Sequence, residues 1–164
     1  MTALDRLWAG WRSEYVATAG DESIECVFCR ILASGEPDEE THIVWRGDTV
    51  FAILNAYPYT TGHLMVMPYR HVGDLEALDA DEATELWSGV THAVRTVKSA
   101  YRSDGMNVGA NLGRAGGAGV PGHLHVHVVP RWAGDTNFMT SVGEARVLPE
   151  ALPVSAEKLR KAWP

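Results

Sequence analysis

The most regular pattern of apolar residues in the chain lies between residues 79 and 105. Its spacings of three, one, three, four, three and four fit one face of an α-helix. The members of this stripe are Ala83, Leu86, Trp87, Val90, Val94, Val97 and Tyr101. Asp79 and Glu82 have the spacing of a capping box at its start, and Gly105 is suited to the left-handed residue after its end. The pattern predicts one long helix that covers one face of a sheet.

Short runs of β-branched and other apolar residues predict strands over residues 42–45, 49–54, 63–68 and 106–112. Arg46-Gly47-Asp48 separates the first two runs, which therefore predict a hairpin. Pro68 ends the third run, because proline cannot donate to a strand ladder.

A fifth strand is predicted over residues 122–132, where histidines alternate with aliphatic residues: His123, His125 and His127 against Leu124, Val126 and Val128. Alternation on a strand places all three imidazoles on one face, roughly 6.6 Å apart, and the aliphatic residues on the other. Such spacing lets one ring attack a phosphorus while another contacts a different oxygen. The alternative is a strand with a merely solvated face, but histidine is only 7 of 164 residues.

Both ends of the chain carry shorter helical patterns. At the amino end the apolar stripe consists of Leu4, Leu7, Trp8, Trp11 and Tyr15. That stripe fits packing on the core, with a subunit contact or a wall of a ligand pocket as the alternatives. Residues 155–163 predict a short terminal helix that docks on the body or on a partner subunit. Together the elements predict an α+β domain with a five-stranded antiparallel sheet, one long helix and a short N-terminal helix.

Composition narrows the class of protein. A length of 164 residues, 46% of them hydrophobic and 21% charged, is typical of a single globular domain, residues 1–164. The net charge of -7 argues against a general nucleic-acid binder, which needs a basic surface. Without a long apolar run or a signal peptide, we expect no membrane association and a cytoplasmic location.

Two further segments have candidate chemistry. Cys26 and Cys29 form a C-x-x-C pair, which in a cytosolic protein favours metal or redox chemistry, or two reduced thiols capping a turn. Two thiolates are half of a tetrahedral zinc site. Residues 109–119 contain five glycines, whose backbone can approach a ligand closely and form an anion nest, or can serve only as a flexible connector.

The alternation of residues 123–129 resembles the signature of the histidine triad family of nucleotide hydrolases and transferases. Residues 130–135, Pro-Arg-Trp-Ala-Gly-Asp, are similar to the fragile-histidine-triad branch, which cleaves dinucleoside polyphosphates. With Thr-Asn-Phe-Met at 136–139, the match is closest to the actinobacterial diadenosine tetraphosphate phosphorylases. The resemblance covers about residues 26–143, which we take as the domain core.

The resemblance implies that His125 attacks the α-phosphorus and forms a nucleotidyl-histidine, which water or inorganic phosphate then resolves. His127 would contact the phosphoryl oxygens. The alternatives are hydrolysis of nucleoside phosphoramidates or adenylylated amines, as in a related branch, and a nucleotide-binding sensor with little turnover.

Other roles are implied residue by residue. The expected substrate-binding set is Asn55, Asn111, Arg114, Gly117, Gly119 and Trp132, with Trp132 stacking on a base. His63 is expected to be a structural histidine. One departure stands out: the family's Gly-Gln-Ser or Gly-Gln-Thr is here replaced by a segment with Val120 and Pro121, which offers no side-chain donor. Either Asn111, Arg114 and the glycine amides replace that donor, or activity is weakened or redirected.

The related zinc-bearing members imply a metal site as well. They point to zinc held by Cys26, Cys29, His71 and His123, in a structural role. The phosphoryl chemistry needs no metal in the protein, although magnesium accompanies such substrates. Family members pair two domains into a ten-stranded sheet, so a homodimer is expected.

Overall fold

The computed structural model describes residues 26–135 and 148–164. Five strands form one antiparallel sheet: β1 (Ile43–Arg46), β2 (Val50–Leu54), β3 (Leu64–Pro68), β4 (Gly105–Ala110) and β5 (Val126–Arg131). Their order across the sheet is β1-β2-β3-β5-β4. Four α-helices accompany them in the described ranges: α1 (Val27–Ala33), α2 (Asp38–Thr41), α3 (Ala80–Tyr101) and α4 (Leu152–Ala162). The predicted α+β class and antiparallel sheet are confirmed, while the amphipathic N-terminal segment lies outside the described residues.

The long helix α3 begins as the sequence predicts and ends differently. Asp79 accepts a hydrogen bond from the Glu82 N–H at 2.8 Å, and the Glu82 carboxylate accepts from the Asp79 N–H at 3.1 Å. At the other end the left-handed residue is Arg102 (φ 49°), and its N–H donates to the Lys98 carbonyl. The prediction for Gly105 was wrong, because the helix closes three residues earlier and Gly105 already belongs to β4.

Two apolar layers enclose the sheet. On one face, α3 and α4 pack on a core that includes Leu86, Leu124, Val126 and Val128. On the other face, α1 contributes Phe28 to a smaller apolar cluster that includes Ile53 and Met65 of the sheet. The sheet therefore separates a closed helix-covered layer from a face that α1 covers only in part.

Several boundaries differ from the predictions. Helix α1 was not predicted, because seven residues are too few to show a helical period. Helix α4 begins at Leu152 rather than at residue 155, with a proline in its first turn. No described helix combines the length and the apolar character that crossing a membrane requires.

The two edges of the sheet differ. At β1, the Arg160 side chain from α4 donates through Nε to the Ile43 carbonyl at 2.8 Å. At β4, residues 107–110 are exposed. One edge is thus covered by the chain's own elements and the other faces outward.

Candidate functional site

A pocket of about 570 Å³ opens between α1, the sheet and the glycine-rich loop. This volume is within the range of small-molecule sites. Its described lining is Val27, Phe28, Ile31, Thr41, His42, Ile53, Leu54, Asn55, Ala56, Tyr57, Tyr59, Met65, Asn111, Gly117, Gly119, Val120, His125 and His127. Most of the wall is apolar, and the two histidines of the triad are its strongest nucleophiles.

The histidine segment keeps its alternation but is only partly a strand. Strand β5 begins at Val126, so His123 and His125 precede it, in contrast to the longer strand that the sequence predicted. His127 pairs with Met65, a member of the α1-side layer, while Val126 and Val128 belong to the α3-side core. The ring centroids of His125 and His127 are 5.0 Å apart, and the ring planes meet at 81°.

The geometry around His125 determines its tautomer. Its Nδ1 lies 2.7 Å from the backbone carbonyl oxygen of His123. A carbonyl only accepts hydrogen bonds, so Nδ1 carries the proton and Nε2 keeps its lone pair in the neutral ring. Burial lowers the pKa of His125, and this outweighs the opposing effect of the carbonyl. A buried, neutral imidazole with a free lone pair on Nε2 can act as a nucleophile.

His63 determines the tautomer of His127 in the same way. The Tyr59 N–H donates to His63 Nδ1 at 3.1 Å, so His63 carries its proton on Nε2. That nitrogen lies 2.9 Å from His127 Nδ1 and donates to it. The remaining nitrogen of His127, Nε2, therefore bears a proton and can donate to a phosphoryl oxygen. His63 is fully buried, as expected of a structural histidine, but it is also the orienting partner of His127.

A second cluster lies on the other side of His123. Cys26, Cys29, His71 and His123 place one ligand atom each within 4.8 Å of one another, the one such group among the described residues. His123 Nδ1 is 3.4 Å from Cys26 Sγ and 3.7 Å from Cys29 Sγ, and His71 Nδ1 is 3.4 Å from Cys29 Sγ. A tetrahedral zinc ion with one sulfur and one nitrogen ligand separates those atoms by about 3.6 Å. The donor set and its spacing fit zinc.

His123 is oriented for that cluster. Its Nε2 lies 2.8 Å from the Pro68 carbonyl oxygen and so carries the proton, which leaves the Nδ1 lone pair toward the cysteines. Burial lowers the pKa of His123, which favours the neutral, ligating form. Because the carbonyl of His123 also holds His125, the two clusters share one residue.

The other predicted binding residues divide into two groups. Asn55, Asn111, Gly117 and Gly119 line the pocket, whereas the described lining does not include Arg114 or Trp132. Trp132 directly follows the end of β5 and is five residues beyond His127. The roles predicted for these two residues stay predictions. Val120 faces the pocket and packs against the α1-side layer, so an apolar side chain stands where the family has a donor.

Sequence reasoning missed the apolar wall of the pocket. Val27, Phe28 and Ile31 come from α1, and their spacing of one and three residues is too short a signal for a helix. Phe28 also contacts the rings of His123 and His125, with centroids 5.3 and 5.5 Å apart. His42, Tyr57 and Tyr59 line the pocket too, although no motif singled them out.

Comparisons with known proteins agree on the family. A model of the HIT domain matches residues 36–134. A curated relative from Mycobacterium tuberculosis, named AP-4-A phosphorylase, is 43% identical over 98% of this chain and 85% of its own length. A Schizosaccharomyces pombe protein named bis(5'-nucleosyl)-tetraphosphatase [asymmetrical] is 30% identical over 58% of this chain and 52% of its own length.

Solved structures agree as well. A zinc-bound histidine triad family protein from Mycobacterium smegmatis superposes with a TM-score of 0.68 at 29% identity, covering 85% of this chain and 94% of that one. This likeness supports the shared fold.

Proposed function

The chain belongs to the HIT domain family, and on that premise we propose that it cleaves dinucleoside polyphosphates of the diadenosine tetraphosphate type through a nucleotidyl-histidine intermediate. The observation that carries this proposal is the hydrogen bond from His125 Nδ1 to the His123 carbonyl. Because this bond fixes the proton on Nδ1, the lone pair is on Nε2, and His125 lines a pocket large enough for a nucleotide. The names of the Mycobacterium tuberculosis and Schizosaccharomyces pombe relatives support the same substrate class.

The first step is a displacement at the α-phosphorus. The Nε2 lone pair of His125 forms an N–P bond, and the bond between that phosphorus and the bridging oxygen breaks. The remaining nucleoside polyphosphate leaves with both electrons. Water or inorganic phosphate then attacks the same phosphorus, breaks the N–P bond and regenerates the neutral imidazole.

His127 stabilises the negative charge that develops during both displacements. Its Nε2–H donates to a phosphoryl oxygen, and His63 keeps the proton on that nitrogen by occupying Nδ1. Asn111 and the backbone of Gly117 and Gly119 line the same pocket, and in this proposal they contribute further donors while Asn55 contacts the ribose. These contacts take over the work of the Gln-Ser pair that this chain lacks.

Zinc in the cluster of Cys26, Cys29, His71 and His123 is part of the proposal. When bound there it stabilises the fold and supplies no chemistry to the reaction, because His123 already uses its Nδ1 lone pair as a ligand. Elemental analysis tests this assignment: we expect one zinc per chain, and the double variant Cys26→Ser/Cys29→Ser should hold none. Less than half a zinc per chain after reconstitution would contradict it.

A homodimer through the β4 edge completes the proposed assembly. The exposed strand carries Val108 at 43% exposure, followed by Leu112 at 46%. Open apolar edges of this kind are normally covered, and an antiparallel β4–β4 contact would join two sheets. Light scattering should give twice the chain mass, and Val108→Lys should lower it to one chain. A monomeric wild-type protein would overturn this part.

Product analysis on diadenosine tetraphosphate, with and without inorganic phosphate, tests the activity. ADP plus ATP that requires phosphate indicates phosphorolysis, and AMP plus ATP indicates hydrolysis. Tight binding without products indicates the nucleotide sensor, which the apolar Val120 at the pocket wall favours as the second candidate. Cleavage of adenosine phosphoramidate in preference to the dinucleotide would instead place the chain with the phosphoramidases.

A further inference from the structure

The register of the strands indicates which end of the pocket would hold the base of a bound nucleotide. His127 pairs with Met65, Met65 with Ile53, and Ile53 with Ile43, so one row of residues crosses β5, β3, β2 and β1. Three strand spacings make this row about 14 Å long. That length is comparable to an extended nucleoside monophosphate. With the phosphorus at His125 and His127, the far edge of the base reaches the start of β1.

His42 lies at that end, immediately before β1. The neighbouring lining is mostly apolar, with Val27, Ile31 and Ile53, and its polar side chains are those of Thr41, His42 and Asn55. The Asn55 Oδ1 already accepts from the Tyr57 N–H at 2.9 Å. Thr41 is a buried residue with 8% exposure, and its hydroxyl donates to the Pro37 carbonyl at 3.3 Å. The imidazole of His42 is therefore the main polar side chain that a base can meet there.

The ring of His42 has a defined donor and acceptor. Its Nδ1 lies 3.2 Å from the backbone carbonyl oxygen of Glu39. Since that carbonyl accepts, Nδ1 carries the proton in the neutral ring, and Nε2 is a hydrogen-bond acceptor. The main-chain carbonyl of His42 accepts from the Leu54 N–H at 3.1 Å, so it is already engaged in the sheet.

The backbone conformation of His42 limits which substitutions can test its role. Its φ of 61° is in the left-handed region, where glycine is at ease and a side chain costs about 1 kcal/mol or more. Arg102 adopts the same region where it closes α3, so closing α2 accounts for this conformation, and glycine and asparagine are the replacements that keep it.

We propose that His42 is a specificity-determining residue that reads the base by accepting a hydrogen bond at Nε2 from the exocyclic amino group of a 6-aminopurine. A 6-oxopurine presents an acceptor at the same place and is disfavoured, because two acceptors face each other. The inference rests on the proposed function, since it takes the nucleotide to lie with its phosphate at His125.

The experiment compares the binding of AMP and IMP by calorimetry at pH 8. These mononucleotides differ at the purine 6-position and at N1, and they need no turnover. We expect the wild-type protein to bind AMP about 5 to 10 times more tightly than IMP, the effect of one hydrogen bond. His42→Gly should weaken the binding of AMP by that factor and change the affinity for IMP by less than twofold, so the preference for AMP disappears.

Two further variants complete the design. His42→Asn tolerates the left-handed backbone, and its amide can rotate to offer a donor or an acceptor, so it should also bind the two nucleotides equally. His92→Ala, on α3 and outside the pocket lining, should keep the wild-type preference. Circular dichroism melts confirm that each variant folds.

The outcomes separate this inference from the proposed function. Equal binding of AMP and IMP by the wild type, or an unchanged preference in His42→Gly, overturns the role of His42 even if diadenosine tetraphosphate is cleaved. A His42-dependent AMP preference without any cleavage supports the role and contradicts the proposed enzyme. Absence of binding to both nucleotides overturns the inference.

Discussion

The two faces of the sheet are made by the same strands and serve different ends. On the α3 face, Leu86, Val126 and Val128 are at most 1% exposed, and the layer is closed. On the α1 face, His127 and Met65 point instead into a layer that leaves a pocket open. Neighbouring side chains on a strand point to opposite faces, so alternate residues of β5 either stabilise the core or line the pocket. Substitutions on one face should change activity with little effect on folding, and those on the other face the reverse.

The largest effect is expected for the nucleophile. His125→Asn removes the Nε2 lone pair while retaining a polar side chain, and we expect the turnover of diadenosine tetraphosphate to fall about 10⁴-fold or more. The melting temperature should change little. Single-turnover assays with quenched product analysis measure this loss. A variant that keeps more than a tenth of the wild-type rate would show that His125 is not the nucleophile.

The opposite face should respond in the opposite way. Leu86 is fully buried on α3, so Leu86→Ala should lower the free energy of unfolding by about 2–5 kcal/mol. At temperatures where it remains folded, its kcat should be within twofold of the wild type. Urea denaturation gives the stability, and Thr91→Ala on the exposed side of the same helix is the matched control, with an expected change of about 0.5 kcal/mol or less. Equal losses of kcat and stability would remove the distinction between the faces.

An intermediate effect is expected for His63, because it is buried like a core residue and also orients His127 in the pocket. His63→Phe frees His127 Nδ1 from its donor, and we expect kcat to fall about 10- to 100-fold with KM within threefold. His63→Gln offers an amide donor and acceptor and should recover part of kcat. A purely structural His63 would instead give equal losses in both variants that follow their melting temperatures.

The smallest effect is expected far from the pocket, at the capping box of α3. The Arg70 side chain and the Asp79 N–H lower the pKa of Glu82, with Arg70 the larger cause. A carboxylate with a lowered pKa stabilises the fold above its unfolded pKa, and that stabilisation is lost as the pH falls through the folded value. Glu82→Gln should therefore lower the free energy of unfolding by about 1 kcal/mol at pH 7, and by less than that at pH 4. Urea denaturation at both values measures it, and a difference that grows on acidification would contradict the assignment.

The sequence by itself determined the elements whose signal is periodic or local. The stripe of α3, the capping box at Asp79 and the five strands follow from neighbouring residues, because apolar burial imposes its own period on helices and strands. The alternation of His123, His125 and His127 likewise determined which residues share a face. The resemblance added the ligand set for the metal cluster.

Only the tertiary structure decided how distant residues meet. Cys26 and His123 are 97 positions apart, and His63 and His127 are 64 apart. Their contacts depend on which strand lies beside which, and no local pattern records that order. The same holds for α1, whose few apolar residues become the wall of a pocket only once the sheet is present, and for His42, whose place at the far end of that pocket depends on the register of β1, β2 and β3. Side-chain tautomers follow last, because each imidazole takes its proton position from a partner that the fold brings to it.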